Sequence, residues 1–106
     1  MTVRQWIAGR SPRPPEALEN RILALLGPAA DDDVAATTDA CLRAAAGALE
    51  SLVRERRFER EDALELLAID ALTTYAYEYV AAAAPAADLE SAARDGITRL
   101  GKVADD

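Results

Sequence analysis

Residues 62–84, DALELLAIDALTTYAYEYVAAAA, form a run too apolar to lie along the surface of a small protein. On a wheel of about 100° per residue, Leu64, Ala68, Ala71, Leu72, Tyr75 and Tyr79 share one broad face, the i, i+4, i+7 recurrence of an amphipathic helix. The back of the wheel carries a second apolar patch made of Leu66, Ile69, Ala76, Tyr77 and Val80. Between them the longest polar stripe is only Asp70, Thr74 and Glu78. A helix apolar on two sides is buried on two sides. The rest of the chain either surrounds this helix or leaves one face of it to a second copy or another protein.

Three other helical segments offer cover. Pro14 or Pro15 opens a helix whose Leu18, Ile22, Leu25 and Leu26 make an apolar stripe, with Glu16 and Glu19 suiting its positive dipole end and Gly27-Pro28 stopping it. Thr37, Thr38 or Asp39 caps a second, running to about Arg56, with Leu42, Ala45, Ala46, Leu49, Leu52 and Val53 on one face. Its thin middle, AAAGA at residues 44–48, lets a neighbour approach closely, so it is expected to face the Leu and Tyr residues of the central helix. Asp88 caps a third, with Leu89, Ala93, Ile97, Leu100 and Ala104 aligned, weakened by Gly96 and Gly101 at up to about 1 kcal/mol each.

Ahead of these, Thr2 can cap a short helix that places Val3, Trp6 and Ile7 on one side, with Gly9 suited to a left-handed C-terminal position. Ser11-Pro12-Arg13-Pro14-Pro15 cannot be helical throughout, because each proline fixes φ and biases its predecessor toward extended geometry. It reads as a stiff connector. The segment from Ala29 to Thr38, with Asp31, Asp32 and Asp33 in succession, reads as a loop with at most one helical turn near Val34. Calcium loops alternate their ligands and carry a turn glycine and a bidentate Glu, a pattern missing here. The expected architecture is all-α: one domain over residues 1–106, with an N-terminal arm and Pro-rich linker over 1–14 and a compact four-helix bundle over 15–106.

Charge narrows the function classes. The net charge of −7 opposes nucleic-acid binding, which depends on neutralising phosphates. Two small basic segments, residues 1–30 and 54–60, each carry a net +2 against this background. Arg54, Arg56, Arg57 and Arg60 in the second sit at a corner between helices, where cations complement a helix C-terminus. A helix-turn-helix reading fails because the following helix begins with Glu61, Asp62 and Glu65 and would repel phosphate. Alanine excess and a single lysine, Lys102, point to a GC-rich bacterial genome. The N-terminus lacks a secretory pattern, and Asp70 and Glu78 interrupt the longest apolar run, so the expectation is a cytoplasmic protein without a membrane span.

Chemistry is scarce. With no histidine, Ser-His and Cys-His nucleophiles and His-based metal sites are all excluded. Cys41 stands alone, which rules out an intrachain disulfide or a redox pair and suits a small buried hydrophobe. The five glycines are scattered, so no phosphate loop exists. Asp70 and Glu78 lie about 12 Å apart along a helix, too far to serve one bond as acid and base.

The reading that remains is a non-enzymatic interaction or adaptor domain, without cofactor or metal, that forms a homodimer or meets another protein. Its interface candidates are Trp6, Leu66, Ile69, Ala76, Tyr77 and Val80, with Asp70 or Glu78 facing an arginine across the seam. A second reading is a ligand-binding protein with an apolar pocket at Leu72, Tyr75 and Tyr79. A third is a DNA-associated regulator using the 54–60 corner.

Overall fold

Capping chemistry at Thr2 starts the fold. Thr2 Oγ1 accepts the Gln5 N–H at 3.2 Å while Gln5 Oε1 accepts the Thr2 N–H at 2.8 Å, a reciprocal capping box that launches α1 (Val3–Ala8). In the computed structural model, which describes residues 1–55 and 59–83, three longer helices follow: α2 (Glu16–Leu26), α3 (Thr37–Glu55) and α4 (Ala63–Ala83). The protein is all-α, and no strand occurs among the described residues. The expected last helix, Asp88 with Leu89, Ala93, Ile97, Leu100 and Ala104, lies outside them, as do Arg56, Arg57 and Phe58.

The N-terminal arm is sewn onto the body. The Val3 N–H donates to the Asp32 carbonyl at 3.0 Å and the Val34 N–H to the Met1 carbonyl at 2.9 Å, bracketing an isolated antiparallel bridge between Thr2 and Asp33. Arg4 Nε adds a contact to Asp31 Oδ1 at 3.2 Å. The acidic run is therefore the arm's anchor. Gly9 ends α1 at φ −82°, an ordinary helical value, so the left-handed conformation expected there is not needed. A positive φ occurs instead at Gly27, +56°, where α2 turns into a 3-10 segment over Gly27–Asp31. The expected single turn near Val34 is a 3-10 turn, Val34–Ala36, capped by Asp33 Oδ2 accepting the Ala35 N–H at 3.0 Å.

Helix α2 begins after Pro15, and the Glu19 N–H makes its first bond to the Pro15 carbonyl at 2.9 Å. Arg13 Nη2 holds both oxygens of the Glu19 carboxylate at 2.7 and 3.0 Å, tying the connector to the first helical turn. Helices α3 and α4 are the most extensively packed pair. They run antiparallel: Thr38, near the start of α3, donates its hydroxyl to the Ala76 carbonyl of α4 at 3.1 Å, while the chain reverses at the other end.

Both faces differ from the wheel reading by a rotation. Helix α3 buries Ala40, Cys41, Leu42, Ala45, Ala48 and Leu52, leaving Ala46 and Leu49 half-buried and Val53 exposed. Helix α4 buries Ala68, Leu72, Tyr75, Ala76 and Val80, leaving Leu64 exposed and Ala71 and Tyr79 half-buried. The cause is that α2 and α3 both press on α4. Two neighbours meet it along lines set by their crossing, so the buried set straddles the two apolar patches.

Candidate interaction surfaces

Trp6 from the arm lies edge-on to two tyrosines of α4. Its ring centroid is 5.4 Å from that of Tyr79 and 6.5 Å from that of Tyr75, with interplanar angles of 83° and 88°. Both are the edge-to-face geometry that ring quadrupoles favour. The Arg10 guanidinium carbon sits 4.4 Å above the Trp6 ring centroid, and its Nε lies 3.4 Å from Glu78 Oε2. Arg10 is thus clamped between an aromatic face and a carboxylate. Burial raises the Tyr75 phenol above its ordinary pKa, with the Glu78 charge adding to the effect and Arg10 opposing it.

Leu72 and Tyr75 belong to the core, and Tyr79 is half-buried against Trp6. Trp6 packs where the sequence suggested a ligand pocket. An open cleft of ≈ 420 Å³ occurs elsewhere, between α2, α3 and the start of α4, lined by Arg21, Leu25, Gly47, Leu52 and Glu65 among others. Arg21 Nε meets Glu65 Oε2 across it at 2.7 Å. That ion pair joins α2 to α4.

The second apolar patch is divided by the fold. Ala76 and Val80 are buried in the body and are not free to form a seam, while Ile69 is half-buried against the core. Tyr77 is half-buried, and its hydroxyl is buried without a hydrogen-bond partner among the described residues. What remains outside is a leucine cluster at the start of α4: Leu64, Leu66 and Leu67 are 37%, 42% and 55% exposed. Val53, 38% exposed, lies at the same end of the α3–α4 hairpin. The wheel places Leu64 on the core face and Leu67 on neither patch, so the exposure of both is set by the fold.

Asp70, Thr74 and Glu78 are exposed, as a polar stripe between apolar faces must be. The arginine that Glu78 meets is Arg10 of its own chain, not one across a seam. Of the 54–60 corner, Arg54 pairs with Glu50 one turn back. Glu59 and Asp62 form a capping box ahead of α4, in which the Glu59 N–H donates to Asp62 Oδ2 at 3.1 Å. Cys41 is completely buried, and desolvation pushes its thiol up from 9.0 to about 12.

Among the described residues no group of three or more His, Cys, Asp and Glu side chains is placed to hold a metal ion, and no helix is long and apolar enough to cross a membrane. Comparison with family models, with curated proteins and with solved structures returns no match for this chain.

Proposed function

We propose that the chain is a non-enzymatic helical interaction domain, an adaptor that self-associates as a two-fold homodimer with the start of α4 in its seam. The observation that supports this is the exposure, among the described residues, of Leu64, Leu66 and Leu67 at the start of α4, with Val53 at the same end of α3. Burying a leucine or valine fully is worth about 1.5–3 kcal/mol, so partial cover of the three leucines and Val53 contributes toward the cost of association. One acid beside the leucines, Glu65, is already held by Arg21 of its own chain, which lowers the local repulsion between copies. A two-fold contact uses the same residues on both copies, so each exposed leucine would be covered twice over, once on each copy, in one seam.

Sedimentation velocity over a micromolar concentration series tests the reading. At about 0.15 M salt wild-type chain is expected as a dimer in the micromolar range, and the double variant Leu66→Glu, Leu67→Glu as a monomer in that range, with unchanged far-UV circular dichroism. A wild-type chain that runs as a monomer of 11.3 kDa at every concentration removes the proposal.

A further inference from the structure

The outer face of α3 carries a charge order that reads the same from either end after exchange of sign. Asp39, Arg43, Glu50 and Arg54 fall on one stripe, acid, base, acid, base, with Ala46 and Gly47 at its midpoint. Asp39, Arg43, Gly47 and Arg54 are exposed, while Ala46 and Glu50 are half-buried. Within the chain the four charges form two pairs one turn apart, Asp39 with Arg43 at 2.8 Å and Glu50 with Arg54. A hollow of ≈ 450 Å³ between the pairs is lined by Arg43, Ala46, Gly47 and Glu50, and a Cβ added at Gly47 would meet nothing within 4 Å.

We infer that this stripe is a second self-recognition surface, on which α3 of a second copy lies antiparallel with Ala46 and Gly47 at the crossing. In that arrangement Asp39 faces Arg54 of the second copy and Arg43 faces its Glu50, and two-fold symmetry repeats both pairs. Each intrachain ion pair then meets the opposite pair of the other copy, making a closed network of alternating sign. The register is selective. A slip of one turn in one direction sets Asp39 against Glu50, a slip in the other sets Arg43 against Arg54, and a parallel two-fold arrangement sets every charge against itself. Small side chains at the crossing allow the helix axes to approach to about 8 Å, which brings the flanking charges within reach.

The complementarity of the stripe, against an opposing net charge, decides the occupant. Two copies each carrying −7 repel overall, and this stripe of two acids and two bases is neutral. Exposed ion pairs add little affinity, so the contact is weak, and its specificity rests on sign and register. The inference goes beyond the leucine seam and holds whether or not that seam forms.

The test uses the full chain carrying Leu66→Glu and Leu67→Glu, so that association through α4 does not contribute. Into it are placed Arg43→Glu or Glu50→Arg, each of which sets like charges opposite one another in a self-pair. Mixing the two restores opposite charges at both positions. Sedimentation equilibrium at about 0.01 M salt, at concentrations well above the micromolar range, is expected to show weak dimers of the parent and of the mixture, and at least about tenfold weaker association of either single variant alone. Raising salt from about 0.01 M to about 1 M, where the screening length falls from about 30 to about 3 Å, is expected to dissociate the parent pair. Far-UV circular dichroism checks that each variant is folded. A parent that stays monomeric at low salt, or a mixture no tighter than its components, overturns the inference, and neither result bears on the leucine seam.

Discussion

Trp6 is the side chain through which the N-terminal arm acts on the core. Two edge-to-face ring contacts of about 0.5–1.5 kcal/mol each, together with the cation held over its face, make its removal costly. Trp6→Ala is expected to lower stability by about 2–3 kcal/mol, read as a shift in the urea midpoint. A change below about 0.5 kcal/mol would mean that the arm docks without contributing. The sequence already set Val3, Trp6 and Ile7 on one side of a capped helix. It did not indicate that Arg10, beyond the helix end, would close over the indole and neutralise Glu78, because that contact joins residues 68 positions apart whose chain paths meet only in the fold.

At the scale of the element, the start of α4 depends on a reciprocal cap. Asp62 is buried and accepts the Glu59 N–H, and Glu59 in turn accepts the Asp62 N–H. Asp62→Ala is expected to cost about 1–2 kcal/mol by leaving the donor unmet, whereas Asp62→Asn, which retains an acceptor, costs less. Equal losses in the two variants, measured by denaturant unfolding, would show that charge rather than capping matters there. Helix boundaries were legible because caps, prolines and Gly27 are local signals carried by one or two residues. Which arc of each helix is buried was not. Helix α4 is apolar nearly all round, so its own pattern leaves the orientation undetermined, and the approach of α2 and α3 selects Ala76 and Val80 for the core over Leu64 and Leu66.

For the whole molecule, alkali is the informative perturbation. Cys41 titrates at about 12 in the folded chain against 9.0 when exposed, and the Tyr75 phenol is shifted in the same direction. Above pH 9 the unfolded chain has released a proton that the folded chain retains, so deprotonation favours unfolding. Stability is full below pH 9 and falls as pH rises toward about 12, by about 1.4 kcal/mol per pH unit from Cys41 alone. Unfolding midpoints measured across that range are expected to decline less steeply for Cys41→Ala. An identical slope would show that the thiol reaches water in the native state.

By itself the sequence determined an all-α chain, where its described helices start, where α1 and α2 stop, the burial of Cys41 and the lack of any histidine. These follow from residue identity and from a periodicity that acts within a few turns of one segment. Tertiary structure alone decided that Ala76 and Val80 are core while Leu64, Leu66 and Leu67 face outward, that the partners of Trp6 are Tyr75 and Tyr79, and that Asp31, Asp32 and Asp33 anchor the arm. The physical reason is that a helix so evenly apolar as α4 has no preferred side in isolation. Its buried arc is set by the crossing of its neighbours, which no single segment encodes.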